Sequence, residues 1–147
     1  AVGAMGYGVP AAVTAKIVAP DRMVVGCIGD GGWGMTGQEL ATAVQYGVAP
    51  ILIVFNNAMF GTIRVHQERR HPERIIGTDL INPDFAALAR CHGAHGEVVE
   101  ETAEFGPAFE RALASGKAAV IELRMDPEVA STRTTLSALR ESALKGL

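Results

Sequence analysis

Two short polar motifs, each placed directly after an apolar run, contain the side chains of this sequence that are best suited to chemistry. The first motif is Gly29-Asp30-Gly31-Gly32 and the second is Asn56-Asn57. A carboxylate and an amide carbonyl are hard oxygen donors, which suit Mg²⁺ or Ca²⁺ better than Zn²⁺. The glycines after Asp30 let the backbone approach an anion closely, and the positive end of a following helix would favour that anion. The motifs therefore predict a site for a metal ion together with a phosphate group.

The two apolar runs must form neighbouring strands if this site is to exist. Residues 23–28 and 51–55 are short, rich in Val and Ile and without polar alternation, as buried parallel strands are. Between them, apolar residues at helical spacing predict a helix over residues 38–46. In such a strand–helix–strand unit both strands end at the same edge of the sheet, where α/β folds bind ligands. Asp30 and Asn57 are therefore expected side by side at that edge.

The order and spacing of these motifs resemble the signature of thiamine diphosphate enzymes, in which a Gly-Asp-Gly turn precedes an Asn-Asn pair. Here residues 32–55 separate the two. The resemblance continues upstream through Gly3-Ala4-Met5-Gly6-Tyr7-Gly8-Val9-Pro10-Ala11-Ala12 and downstream through Asn57-Ala58-Met59-Phe60-Gly61-Thr62-Ile63-Arg64. A Gly-Asp-Gly turn by itself is common, but these motifs in this order are specific. The whole chain resembles the C-terminal, diphosphate-binding domain of the acetolactate synthase-like decarboxylases and carboligases.

This resemblance implies thiamine diphosphate and Mg²⁺ as cofactors and assigns roles to individual residues. Asp30 and Asn57 would bind the metal through their side chains, and Met59 through its backbone carbonyl. Met5 would be the apolar wedge that bends the cofactor, and the Gly3 carbonyl would accept a hydrogen bond from the aminopyrimidine 4′-amino group. The residues expected to contact the cofactor are Gly3, Ala4, Met5, Gly29, Asp30, Gly31, Gly32, Asn57, Phe60 and Gly61.

The resemblance also implies chemistry on 2-keto acids, by decarboxylation or carboligation. In the family, the Glu that activates the aminopyrimidine comes from an N-terminal pyrimidine-binding domain, usually on another subunit of a dimer or tetramer. No residue here matches that Glu, so no catalytic residue is assigned, and these 147 residues alone are expected to be inactive. Where biosynthetic acetolactate synthases carry a tryptophan that helps to choose the second keto acid, this chain has His66. That departure puts acetolactate synthesis itself in doubt.

Composition narrows the class of protein. With 147 residues, 48% of them hydrophobic and 20% charged, the chain is long enough for one globular domain with a real core. A formal net charge of −3 does not favour nucleic acid as a partner. No apolar run approaches the roughly 18 residues of a membrane span, and no signal peptide is visible, so a cytoplasmic location is expected. Cys27 and Cys91 are predicted to be buried free thiols.

The predicted fold is a doubly wound α/β domain whose mostly parallel sheet of about five strands is flanked by helices. Residues 1–125 are assigned to this domain and residues 126–147 to a C-terminal tail with a weak helix. Two helix starts are predicted in detail. Thr36 and Glu39 would form a capping box, and Asn82 would cap the helix that begins at Pro83. Because the chain begins inside a Gly-rich loop and without Met, we expect it to be part of a longer protein.

Another class of protein uses a metal and a phosphate on an α/β fold, namely phosphotransfer receivers and nucleotide-binding modules. A receiver needs an acidic pair after its first strand and a Lys after a later strand. Here Asp21 and Asp30 lie apart, and Lys117 precedes a strand. The G-K-[ST] sequence of a P-loop is absent. These modules therefore remain the alternative to the thiamine diphosphate prediction.

Overall fold

A computed structural model describes residues 3–146 and divides them into two compact units. The first, called the sheet unit, comprises residues 3–56 and 82–124, and the second, called the helix-pair unit, comprises residues 57–81 and 125–146. No helix among these residues is long and apolar enough to cross a membrane.

The sheet unit contains four strands and five α-helices within its described residues. The strands are β1 (Val25–Gly29), β2 (Ile51–Asn56), β3 (His95–Val99) and β4 (Ala119–Arg124). The helices are α1 (Gly8–Val18), α2 (Asp30–Thr36), α3 (Leu40–Gln45), α5 (Phe85–Cys91) and α6 (Thr102–Ala114); α4 (Gly61–Arg70) belongs to the other unit. A 3₁₀ turn, Gly37–Glu39, joins α2 to α3.

The four strands form one parallel sheet in the order β1-β2-β4-β3. Side chains of β2 alternate between its two faces, as strand geometry requires. Leu52 and Val54 lie in a core with α1, α2, α3 and α5, whereas Ile51 and Ile53 lie in a second core with α6. Helices therefore cover both faces, which confirms the predicted doubly wound α/β fold, with four strands where about five were expected.

The predicted helix over residues 38–46 is present as α3, which starts two residues later than expected. Helix α2 begins at Asp30 itself, and a 3₁₀ turn separates it from α3. The predicted capping box is wrong, because the Thr36 hydroxyl donates to the Gly6 carbonyl at 2.7 Å. Glu39 instead accepts a hydrogen bond from the Thr42 hydroxyl at 2.7 Å. Thr36 and Glu39 therefore form hydrogen bonds with other residues, and neither takes part in the predicted cap.

Asp84, not Asn82, caps helix α5. The Asp84 carboxylate accepts a hydrogen bond from the Ala87 backbone amide at 2.7 Å, and the helix begins at Phe85. Asn82 instead donates hydrogen bonds to Asp30 and Asn56.

The predicted burial of Cys27 and Cys91 is wrong too, although both are free thiols. Cys27 lies on β1, which is an edge strand of the sheet.

The helix-pair unit contains helices α4 (Gly61–Arg70) and α7 (Leu136–Lys145) and a short hairpin of strands β5 (Val129–Ser131) and β6 (Thr134–Thr135). The two helices pack against each other. The buried apolar side chains of the helix-pair unit are Met59 and Leu136, and Glu68 is fully buried where the two helices pack. The helix expected in the tail is therefore present.

Candidate cofactor site

Asp30 follows β1 directly and is the first residue of α2. Its side chain is almost completely buried, with the residue 4% exposed. Oδ1 accepts a hydrogen bond from the Gly31 amide at 2.8 Å, and Oδ2 accepts one from Asn82 Nδ2 at 2.8 Å. Among residues 3–146 no basic side chain forms an ion pair with it. A buried carboxylate held only by neutral donors is costly unless a cation compensates it.

A chain of polar groups runs from Asp30 into the sheet. The same Nδ2 atom of Asn82 also donates to Asn56 Oδ1 at 2.9 Å. Asn56 Nδ2 donates to Glu122 Oε1 at 2.8 Å, and the Phe85 amide donates to Glu122 Oε2 at 2.9 Å. Glu122 is 1% exposed, and Arg124 Nε lies 3.6 Å from Oε1. The network therefore connects the carboxyl ends of β1, β2 and β4 and holds the first amide of α5.

The Gly-rich loop before α1 lies against α2. A Cβ atom at Gly6 would come within 3.1 Å of Met35 Cβ and 3.3 Å of Thr36 Cγ2, and Gly6 has a positive φ of 83° that also favours glycine. One at Gly32 would come within 3.8 Å of the Gly6 nitrogen. Met5 in this loop is 44% exposed. The loop and the Gly-Asp-Gly motif are thus brought together, and the Met5 side chain remains accessible.

Asn57 and Met59 belong to the helix-pair unit, where they line a pocket of about 180 Å³. The remaining wall of the pocket consists of Gly61, Thr62, Val65, Pro127, Val129, Ala130 and Leu136. A Cβ atom at Gly61 would come within 2.9 Å of Asn57 Nδ2, so glycine at this helix start makes room for the Asn57 side chain. Within the described part of the chain, no hydrogen bond involves that amide side chain, so its oxygen is available to a ligand.

The turn that carries Met59 has an unusual backbone. Ala58 has a φ of 56°, a left-handed conformation that costs a non-glycine residue about 1–2 kcal/mol. Hydrogen bonds on both sides hold the turn, from the Leu80 amide to the Ala58 carbonyl and from the Phe60 amide to the Thr78 carbonyl, each at 2.8 Å. Strain of this kind persists where the surroundings over-determine it, which is common at ligand sites.

Comparison with known proteins places this geometry in a family. Residues 1–123 match the family described as the thiamine pyrophosphate enzyme, C-terminal TPP binding domain, where thiamine pyrophosphate is another name for thiamine diphosphate. The chain belongs to this family. The match confirms the resemblance drawn from the motifs and does not favour a receiver or nucleotide-binding module.

Individual relatives carry the same cofactor-binding domain within longer proteins. The chain is 34% identical over 131 residues to a sulfoacetaldehyde acetyltransferase of Alcaligenes xylosoxydans, covering 86% of this chain and 22% of that protein. It is 36% identical over 131 residues to an acetolactate synthase large subunit of Mycobacterium tuberculosis, covering 89% and 24%. The chain therefore spans less than a quarter of the length of these relatives.

A solved structure shows the same fold. It is the thiamine diphosphate-dependent 4-hydroxybenzoylformate decarboxylase of Rhodococcus jostii RHA1, which is 35% identical in sequence. The two superpose with a TM-score of 0.78 over 83% of this chain and 23% of that one. This likeness supports the thiamine diphosphate-binding fold for the part of the chain that superposes.

The predicted ligands fit a magnesium ion in type. They comprise one carboxylate, one amide oxygen and one backbone carbonyl, which are hard donors, and Mg²⁺ usually takes its remaining ligands from phosphate and water. The described residues contain no cluster of three or more His, Cys, Asp or Glu side chains suited to a metal. The proposed ligand set contains one carboxylate, so it is not a cluster of that kind. Because Asp30 and Asn57 lie in different units, their expected proximity stays a prediction.

Two polar residues of the site, Asn82 and Glu122, were missed by sequence reasoning. Asn82 was assigned to a helix cap, yet Asp84 stands closer to the apolar residues of α5 and is the better cap by position. A helix needs one cap, so once Asp84 takes that role, Asn82 is free for another. Glu122 is the one acidic residue within the apolar part of β4. Because acidic side chains are rarely buried without a partner, this position could have indicated a specific role.

Proposed function

We propose that this chain binds the Mg²⁺–diphosphate end of thiamine diphosphate as the C-terminal part of an acetolactate synthase-like enzyme acting on 2-keto acids. The observation that carries the proposal is the buried Asp30 carboxylate, which two neutral donors hold and which has no basic partner among the described residues. A metal cation would supply the missing positive charge. Asn57, through its side chain, and Met59, through its backbone carbonyl, are the further ligands we propose.

The other cofactor contacts follow from the family signature. We propose that Gly29, Gly31, Gly32, Phe60 and Gly61 surround the diphosphate. Gly3, Ala4 and Met5 would contact the organic part of the cofactor, with the exposed Met5 side chain as its apolar support. When bound, the cofactor supplies the electron sink for breaking the bond next to the keto carbon. This chain's contribution is to bind and orient the cofactor, and the activating Glu would come from an N-terminal pyrimidine-binding domain.

The substrate class draws support from one relative. 4-Hydroxybenzoylformate, named for the Rhodococcus decarboxylase, is a 2-keto acid. His66, in place of the family's tryptophan, argues for decarboxylation or carboligation of a different keto acid rather than acetolactate synthesis. We also propose that the full-length enzyme is a homodimer or homotetramer, since the pyrimidine-binding domain in this family usually lies on another subunit.

Calorimetry on the full-length protein tests the cofactor assignment. Thiamine diphosphate should bind only when Mg²⁺ is present, and ATP with Mg²⁺ should not bind. In Asp30→Ala the Mg²⁺-dependent binding should be lost, because the only charged ligand is gone. Unchanged cofactor affinity in Asp30→Ala would refute the assignment, and tight binding of ATP would revive the nucleotide-binding alternative.

A further inference from the structure

We propose that Asn82 is a positioning residue for Asp30, holding the Asp30 carboxylate in the orientation in which it binds the metal ion. The inference rests on the proposed function, since it takes Asp30 to be a ligand of Mg²⁺. Asn82 itself would not contact the metal, the cofactor or the substrate. Its role is to set the direction of a neighbouring side chain.

Two hydrogen bonds fix the Asp30 carboxylate, one on each oxygen. The Gly31 amide holds Oδ1 from within α2, and Asn82 Nδ2 holds Oδ2 from a segment 52 residues further along the chain. Each carboxylate oxygen has two lone-pair sites, so both oxygens keep a site for a further partner. The carboxylate is therefore oriented without being saturated.

The position of Asn82 is itself determined by a closed ring of hydrogen bonds. Asn82 donates to Asn56, Asn56 donates to Glu122, and Glu122 accepts from the amide of Phe85, three residues after Asn82. Glu122 is anchored in the sheet, where it is 1% exposed. Rotating the Asn82 amide would break its bonds to both Asp30 and Asn56. The ring thus connects a core carboxylate to the proposed metal ligand.

A neutral amide is suited to this task in a way that a basic residue would not be. Lys or Arg at position 82 would neutralise Asp30 and compete with the metal ion for its charge. The side-chain amide of Asn82 donates one N–H to Asp30 and the other to Asn56, and it carries no charge. Partners of this kind behind a metal ligand usually contribute about 10–100-fold to metal affinity.

The test measures metal binding in the full-length protein saturated with thiamine diphosphate. Electron paramagnetic resonance with Mn²⁺, which accepts the same oxygen ligands as Mg²⁺, reports bound and free ion directly. We expect Asn82→Ala to weaken Mn²⁺ binding about 10–100-fold. Asn82→Ser, with one hydroxyl donor in place of two amide donors, should weaken it by less and serves if the alanine variant does not fold. At saturating Mg²⁺ the kcat of both variants should return toward that of the wild type.

Asp84→Ala is the matched control, because it removes an exposed polar side chain from the same segment. Asp84 caps α5 through the Ala87 amide, whereas the donors to Asp30 are Gly31 and Asn82. It should lower stability without changing Mn²⁺ affinity. Equal loss of Mn²⁺ affinity in Asp84→Ala and Asn82→Ala would overturn the inference, since the effect would then be general loosening of the segment.

Asp30→Ala separates this inference from the proposed function. If Asp30→Ala abolishes Mn²⁺ binding while Asn82→Ala and Asn82→Ser leave it at the wild-type value, the positioning role is refuted and the proposed function stands. If Asp30→Ala itself binds Mn²⁺ normally, the proposed function fails and the inference fails with it.

Discussion

Arg140 on α7 donates two hydrogen bonds to the fully buried Glu68 on α4, from Nε to Oε2 at 2.8 Å and from Nη2 to Oε1 at 2.5 Å. Arg64 adds a weaker contact, from Nε to Oε1 at 3.3 Å. The hydrogen bond from Arg140 is the largest cause of a lowered pKa at Glu68, and it outweighs burial, which acts in the opposite direction. This buried ion pair joins the C-terminal helix to the helix that follows the Asn57–Gly61 turn.

Removing Arg140 should destabilise the packing of α7 on α4. In Arg140→Ala the buried Glu68 keeps only Arg64. We therefore expect the free energy needed to open α7 to fall by up to about 3 kcal/mol, the lower end for a broken buried ion pair. Hydrogen–deuterium exchange of the α7 amides in the full-length protein measures the change. Arg133→Ala, in the exposed turn between β5 and β6, is the control and should leave α7 protection unchanged. Equal protection in Arg140→Ala and the wild type would show that the pair contributes nothing.

The same pair should make α7 sensitive to acid. Because the folded-state pKa of Glu68 lies below its ordinary value of 4.5, its stabilisation is complete above that value and is lost as the pH falls through the lowered pKa. Protection of α7 should therefore decline in the acid range below 4.5 and remain constant through neutral pH. Glu68→Gln should flatten this dependence on pH. A decline centred near neutral pH would point to another group.

A methyl group at Gly61 should weaken metal binding. Alanine there would press on Asn57 Nδ2, which lies 2.9 Å from the position of its Cβ, so the amide must move. We expect Gly61→Ala to raise the Mg²⁺ concentration needed for half-maximal cofactor binding, measured by calorimetry. Gly106→Ala is the control, because a Cβ at that helix position meets nothing within 4 Å and glycine-to-alanine changes in helices are favourable by about 0.5–1 kcal/mol. An unaltered Mg²⁺ requirement in Gly61→Ala would argue against Asn57 as a ligand.

Truncating Met5 should lower turnover more than cofactor affinity. An apolar support sets the shape of the cofactor, whereas the metal and diphosphate contacts anchor it. In Met5→Ala, kcat should fall while the dissociation constant of thiamine diphosphate changes little, as steady-state kinetics and calorimetry would show. Met23→Ala, another exposed methionine of the sheet unit, is the control and should preserve kcat. Weaker cofactor binding with kcat intact at saturation would contradict the role given to Met5.

The 147 residues alone should have no measurable decarboxylase or carboligase activity. No carboxylate of this chain matches the activating Glu. General acid–base catalysis of this kind raises the reaction rate at least about 10²–10⁴-fold. An assay with pyruvate, thiamine diphosphate and Mg²⁺ tests this, with the full-length protein as the positive control. Light scattering on the same sample tests whether the isolated chain associates through its exposed apolar residues. Robust turnover by a monomer would show that the catalytic acid lies within the chain.

Local patterns predicted much of the sheet unit. The run that became β2 was recognisable because a strand covered on both faces must be apolar throughout, and β4 has the same buried pattern. The run that became β1 is also apolar, although only Ile28 of that strand is buried. Helix α6 also has a local cause, since a capping box between Glu101 and Glu104 forms at its start. These signals depend on neighbours within one turn or one strand, so the sequence contains them in full.

What the sequence determined by itself was the family and the order of its elements, because the Gly-Asp-Gly and Asn-Asn motifs and the apolar runs are contiguous segments with local causes. Tertiary structure decided which polar groups meet. Thr36 bonds to Gly6, Asn82 to Asp30 and Asn56, and Arg140 to Glu68, in each case across 26 or more residues. An Asn, Thr or Arg side chain has several possible hydrogen-bond partners of similar energy, and the local sequence does not show which of them it will choose. The choice is made by the fold, which buries Asp30 and Glu68 and so makes an unpaired carboxylate at either position costly.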